Sequence, residues 1–335
     1  MKEHHLALYR KYRPSTFKEV TGQEKIVTLL ESTIKQKKIS HAYLFSGGRG
    51  TGKTTVARIF ADSIGCNPED ILEIDAASNR GIDEIRQLRE AVRTAPFSSP
   101  YKVYIVDEAH MLTKEAANAL LKTLEEPPRH VIFILATTDP EKLPQTIISR
   151  CQKISFVQPD IKTLSERLIF ISKEEGYTLD KKSAELISKH SKGSYRDGLG
   201  ILEQVLATSG KVVDYDDVVK ILGTPAKDVL HELLEQVCTK NHAGIAKNIN
   251  ILQSNTTVAL RTYDEFIEEI RQGLLIRIGE GEKSDKELER IATTYPHSIS
   301  SKTILYLLEK RYLMEVSDTH AWTAFTAILF SLIEE

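Results

Sequence analysis

The segment Gly47-Gly48-Arg49-Gly50-Thr51-Gly52-Lys53-Thr54 restricts the possible folds of this chain more than any other stretch. It fits the pattern GxxxxGK[ST], and it stands between an apolar run at 42–46 (AYLFS) and a helical pattern at 53–64. A strand running into a glycine-rich turn, with a helix running out, lets backbone N–H groups and the helix N-terminus cradle phosphate oxygens. Glycine is needed there because a Cβ would block the approach and because such a loop requires positive φ. Lys53 is expected to reach the β- and γ-phosphates and Thr54 to hold Mg2+, with Thr55 beside it in the first turn.

The runs 71–74, 103–106 and 131–136 also read as short buried strands, separated by helical patterns at 82–95 and 113–124. In the latter, Ala117, Leu120, Leu121 and Leu124 fall at i, i+3, i+4 and i+7, and Pro127-Pro128 stops the helix. Strands alternating with helices imply an α/β layer built on a parallel sheet covered on both faces. After about Pro159 the alternation ends. Segments 162–175 and 181–190 read as helical without strand partners, as does nearly everything onward to Glu335. Gly193 and Gly223-Thr224-Pro225 punctuate this half. The expected boundaries divide the chain into 1–158, 159–223 and 224–335, in keeping with a length of 335 residues.

A second constellation completes the phosphate site. Tyr104-Ile105-Val106-Asp107-Glu108 is a buried strand ending in two adjacent carboxylates. One turns toward a metal and the other is free to polarise a water, so Asp107 is read as Mg2+ support and Glu108 as general base. His110, close by, is read as a packing or hydrogen-bonding residue. Thr138 ends the next strand, in Thr137-Thr138-Asp139, where neighbouring strands of a parallel sheet share one crevice; it is placed to bond the γ-phosphate or the attacking water. Arg150, in Ser149-Arg150-Cys151, and Arg196, in Gly193-Ser194-Tyr195-Arg196, are candidates to neutralise charge on the γ-oxygens, in cis or in trans.

Composition excludes several alternatives. Lys+Arg 45 against Asp+Glu 47 gives a net charge of −2, so nucleic-acid contact must come from a local patch. The best candidate is Arg86, Arg89 and Arg93, a basic stripe beside the apolar one in 82–95, suited to following a phosphate backbone and diluted by Glu84 and Glu90. No apolar run approaches membrane-spanning length, and MKEHHLALYRKYRP lacks a signal-peptide core, so a cytosolic protein is expected. Three dispersed cysteines, Cys66, Cys151 and Cys238, form neither a disulfide framework nor a four-ligand zinc cluster.

Together, KYRP, VTGQEKI, SGGRGTGKTTVAR, EIDAASNRGID, VYIVDEAHML, ALLKTLEEPP, FILATTDPEKLPQTIISRC and GSYRDGL resemble the γ/τ subunits of DNA polymerase III clamp loaders, densely from about Leu6 to Leu206 and thinly afterward. The resemblance implies an AAA+ P-loop ATPase with a nucleotide-binding base at 1–158, a small helical lid at 159–223 and a helical collar at 224–335 that assembles a pentameric ring. It implies ATP and Mg2+ as ligands of the 47–55 loop and of Asp107-Glu108, with Thr138 as sensor 1. Arg150 becomes a finger acting on the neighbouring subunit, and Arg196 the lid's sensor 2. Tyr9, Arg10, Pro14 and Val20 would lie against the adenine. The implied partners are other loader subunits, a sliding clamp, primed DNA and the replicative polymerase, in a cytoplasmic, nucleoid-associated setting. Bacterial members usually carry a four-cysteine zinc module after the P-loop helix. Here Cys66-Asn67-Pro68-Glu69-Asp70 runs straight into Ile71-Leu72-Glu73-Ile74, so no zinc is expected and a lineage nearer replication factor C small subunits stays open. The sequence stops at residue 335, so a τ-type tail is not expected. The rival readings are another AAA+ DNA motor, disfavoured by the SRC motif and the helical C-terminal third, and a nucleotide-binding subunit without turnover.

Overall fold

A run of Val, Ile, Phe and Leu with no polar residue to face water belongs at the centre of a sheet covered on both sides. Strand β4 (Val131–Thr137) is such a run, and it is buried at every position. It occupies the middle of a five-stranded sheet in which β1 (Ala42–Ser46), β2 (Ile71–Asp75), β3 (Lys102–Asp107) and β5 (Gln152–Ser155) complete the order β2-β3-β4-β1-β5. Every pairing is parallel. The computed structural model describes residues 6–78, 90–225, 227–254, 258–280, 285–315 and 320–334.

Side chains of successive strand residues point to opposite faces, and two cores follow from this. Tyr43, Phe45, Val103, Ile105, Ile132 and Ile134 pack with Val56 and Phe60 of the helix Lys53–Ser63. Ala42, Leu44, Tyr104, Val106, Phe133 and Leu135 pack on the other face with Ala117, Leu120 and Leu124 of the helix Lys114–Glu125. Thr113 caps that helix by accepting from the Ala116 N–H. Strand β5 gives no signal in the sequence. Of its four residues only Ile154 is buried, so it carries no apolar run to detect.

The chain forms two compact units, 1–214 and 215–335. The first therefore contains the sheet together with the helices Ile161–Glu174, Lys181–His190 and Tyr195–Thr208. Asp160, Asp180 and Ser194 cap these helices with their side chains. The expectation that this region lacks strand partners needs correction, because Thr178–Leu179 and Val212–Val213 form a small parallel pair. Two-residue strands show no periodicity that a sequence could display. Residues 79–89, with Arg86 and Arg89, lie outside the described residues; of the helix expected at 82–95, residues 90–92 are helical. Arg93 is exposed just beyond them.

In the second unit, seven α-helices are formed among the described residues, from Tyr215–Leu222 to Ala321–Glu334. Their core centres on Tyr263, Phe266 and Phe325, whose rings meet edge to face, and the Tyr263 hydroxyl donates to the Leu307 carbonyl at 2.6 Å. No helix among the described residues is long and apolar enough to cross a membrane.

Candidate active site

Parallel strands deliver their C-terminal ends to one edge, and here β1, β3 and β4 deliver the phosphate loop, Asp107-Glu108 and Thr137-Thr138. The Gly47 N–H continues the ladder by donating to the Thr137 carbonyl at 3.2 Å. The loop then turns through positive φ at Gly47, Gly50 and Gly52 and enters the helix Lys53–Ser63. At Gly47 a Cβ would meet the Phe156 carbonyl, and at Gly50 it would collide with Ser194 Oγ, so both positions require glycine for space as well as for φ.

Lys53 is only 6% exposed, and its ammonium donates to the Gly47 and Gly48 carbonyls at 2.8 and 2.9 Å. Burial pushes this ammonium below the usual lysine range, against the pull of Glu108 and Asp107. The Thr54 hydroxyl donates to Asp107 Oδ2 at 2.6 Å. A hydroxyl and a carboxylate converging from helix and strand form the hard oxygen set that suits Mg2+ beside phosphates. Glu108 stands next to them with its carboxylate accepting from the Thr138 hydroxyl at 3.2 Å.

These groups line a cavity of about 1140 Å³ in the first unit. Tyr9, Arg10, Pro14, Val20, Arg49, Gly50, Thr51, Gly52, Lys53, Thr54, Thr55, Asp107, Glu108 and Arg196 all contribute to its wall. Seven cationic side chains face four carboxylates there, an excess of positive charge that suits a polyanionic ligand. Gly47 and Gly48 sit behind the wall, bonded to Lys53, and Thr138 reaches the site through Glu108. Arg150 stands apart. It is not part of this wall, and its guanidinium donates to Glu125 Oε1 at 2.6 Å and to the Thr146 carbonyl at 2.8 Å.

Several wall residues carried little or no sequence signal. Arg13 donates to Thr55 Oγ1 at 3.0 Å, and burial lowers its pKa with Arg58 adding to the effect. The basic cluster Arg10-Lys11-Tyr12-Arg13 points to the nucleotide as a group, without singling out this residue. Tyr195 links the helix beginning at that residue to the loop, its N–H donating to the Gly50 carbonyl and its hydroxyl to the Thr21 carbonyl. Arg58, Glu73 and Arg167 join the wall through tertiary packing alone. The cysteines are free; Cys66 is buried with its sulfur against the Tyr101 carbonyl, and burial pushes its thiol up to about 11.

A family model described as DNA polymerase III, delta subunit, matches residues 22–80 and 69–160. The tau subunit of DNA polymerase III from Bacillus subtilis (strain 168) is 39% identical over 310 residues, covering 86% of this chain and 55% of that protein. The gamma subunit of DNA polymerase III from Buchnera aphidicola subsp. Schizaphis graminum is 40% identical over 246 residues, 66% of each chain. The tau subunit from Escherichia coli (strain K12) is 39% identical over 264 residues, which span 41% of it. The chain thus spans about half the length of the tau relatives it matches. Among solved structures, the Thermotoga maritima RuvB Holliday junction branch migration motor superposes with a TM-score of 0.54 at 21% identity, over 68% of this chain and 79% of that one. That likeness concerns the fold alone, an α/β layer on a parallel sheet of five strands with the glycine-rich loop after β1. With some 39–40% identity to named relatives across most of its length, the chain belongs to the tau/gamma subunit family of DNA polymerase III.

Proposed function

We propose that the protein is an ATPase subunit of the clamp loader of a replicative DNA polymerase, using ATP binding and hydrolysis to place a sliding clamp on primed DNA. The observation that carries the reading is the cationic cavity at the strand ends, where Lys53, the Thr54–Asp107 pair and Glu108 meet. Lys53 exchanges its loop carbonyls for phosphate oxygens as ATP enters. Thr54 and Asp107 hold Mg2+, which when bound shields the phosphate charge that builds up in phosphoryl transfer. Glu108 takes the proton of the attacking water, and Thr138 orients the Glu108 carboxylate. Tyr9, Arg10, Pro14 and Val20 provide the wall for the base, with Arg13 added from its bond to Thr55.

Arg196 acts in cis, from the cavity's own wall. Arg150, outside the wall, acts on the γ-phosphate of a neighbouring subunit. Residues 159–223 serve as lid and 224–335 as collar in a hetero-oligomeric, pentameric ring whose partners are other loader subunits, the clamp, primed DNA and the polymerase. Arg86, Arg89 and Arg93 are the proposed DNA-facing residues. No zinc enters this scheme, and the setting is the cytoplasm at the nucleoid.

The test measures phosphate release by the chain assembled with loader subunits, with and without clamp and primed DNA. Clamp- and DNA-stimulated turnover is expected. Turnover indifferent to a clamp would favour another DNA motor, and nucleotide binding with no turnover under any condition would favour a structural subunit.

A further inference from the structure

Glu108 has φ +48° and ψ +44°, a left-handed backbone that few residues other than glycine adopt. Such a conformation persists only where its surroundings over-determine it. Those surroundings are visible. The Glu108 N–H donates to Asp107 Oδ1 at 3.1 Å, and its carbonyl accepts from the Met111 N–H at 2.8 Å. The backbone of the residue is therefore held from both sides. Its side chain, one third exposed, has three torsions to settle and a hydrogen bond from the Thr138 hydroxyl, which lies equally 3.2 Å from Asp139 Oδ2.

His110 supplies the remaining restraint. Its side chain is 9% exposed and stands in the turn that follows Glu108. Nδ1 lies 3.0 Å from Thr137 Oγ1 and 3.5 Å from Glu108 Oε2, while Nε2 lies 3.4 Å from Asp139 Oδ2. One imidazole thus bridges the end of β3, where Glu108 sits, and the end of β4, where Thr137 and Asp139 sit. His110 is not itself part of the wall of the nucleotide cavity, and it meets that wall at Glu108.

We propose that His110 is a positioning residue for Glu108, fixing the direction of its carboxylate from the end of β4. The proposal rests on the reading of Glu108 as general base. Its consequence is a specific one. Loss of the bridge frees the carboxylate to swing without altering the phosphate loop, so turnover falls while nucleotide binding stays. Misplacement of a catalytic group by about 1 Å can cost on the order of 100-fold.

The test uses the full chain assembled with its loader subunits, with ATP turnover and the dissociation constant of a fluorescent ATP analogue read on each variant. His110→Ala is expected to lower kcat by about 10–100-fold and to leave the dissociation constant within about twofold. The two amide variants sharpen the result, because asparagine places its nitrogen near Nδ1 and glutamine near Nε2. His110→Asn should recover part of kcat, since it keeps the contact toward Thr137 and Glu108. His110→Gln should stay low, and the pair carries the test even if His110→Ala does not fold. In a Glu108→Gln background, His110→Ala should cost nothing further. The proposal is overturned if His110→Ala turns over within twofold of wild type, if asparagine and glutamine are equivalent, or if the variants lose nucleotide affinity as much as rate. If Glu108→Gln itself keeps turnover, the base assignment fails; if Glu108→Gln is dead and His110→Ala is not, only the role of His110 fails.

Discussion

The two units dispose of their charged clusters in opposite ways. In the first, Lys53, Asp107 and Glu108 are gathered at strand ends and face a cavity of about 1140 Å³. In the second, His231 and Glu269 are almost fully buried, with Nε2 and Oε2 3.1 Å apart, and Asp285 stands 3.6 Å from the same nitrogen. Lys227 reaches Asp285 at 3.4 Å. With His231 protonated, the second group carries as many positive as negative charges and closes on itself. The cavity that the first group faces is lined by seven cationic side chains and four carboxylates, an excess of positive charge that suits a polyanionic ligand. Charge that opens onto a cavity is available to a ligand, whereas charge that balances internally joins helices.

The largest effect should come from the one arginine of the first unit assigned to catalysis away from the cavity. A trans arginine finger is worth about 10³–10⁵ in rate. Arg150→Ala should therefore abolish DNA-stimulated hydrolysis by the ring while leaving the ATP affinity of the isolated chain near wild type. Mixing Arg150→Ala chains with Glu108→Gln chains should restore some activity at interfaces that pair an intact Glu108 pocket with an intact Arg150. If mixed rings form and none is active, Arg150 does not act in trans.

Next comes the core of the second unit. Phe325 is fully buried against Tyr263 and Phe266, and its truncation to alanine should destabilise that unit by about 3–5 kcal/mol. The chain's single tryptophan, Trp322, stacks on Phe325, so intrinsic fluorescence reports this unit selectively. A shifted fluorescence transition with unchanged nucleotide affinity sharpens the contrast between the units; equal loss of both would break it. Lys53→Ala is expected to do the reverse. Removing a charged hydrogen-bonding partner of phosphate should weaken ATP binding by about 1.5–3 kcal/mol in a titration, with the Trp322 transition unmoved.

The smallest effect concerns the closed charge group. The hydrogen bond to Glu269 outweighs burial and raises the His231 pKa above its ordinary value. The facing groups are Glu269 and Asp285, which raise it further, and Lys227, which lowers it. A raised folded pKa means the stabilisation is complete below the unfolded value, near pH 6.5, and is lost as pH rises through the folded value. The Trp322 transition should therefore weaken with rising pH by at most about 1.4 kcal/mol per pH unit, and His231→Gln should flatten that dependence. An unchanged slope in the variant would mean that His231 is not the titrating group.

Much of the site can be read along the chain because its parts are local. The loop 47–54 and the acids at the end of β3 each depend on a few consecutive residues. What escapes the sequence depends on tertiary packing. Strand β5 is too polar to be seen, Arg13 is singled out only by its bond to Thr55, and Tyr195 acquires its role from the approach of Gly50 and Thr21. The left-handed backbone of Glu108 is equally hidden, since a run such as VDEAH gives no sign of φ.

If the cavity serves ATP turnover, Glu108 is its base. The most direct measurement compares wild type and Glu108→Gln for ATP affinity and for phosphate release under the same conditions. The prediction is equal affinity and a loss of turnover of about 10²–10⁴-fold. Hydrolysis by Glu108→Gln within twofold of wild type would contradict it.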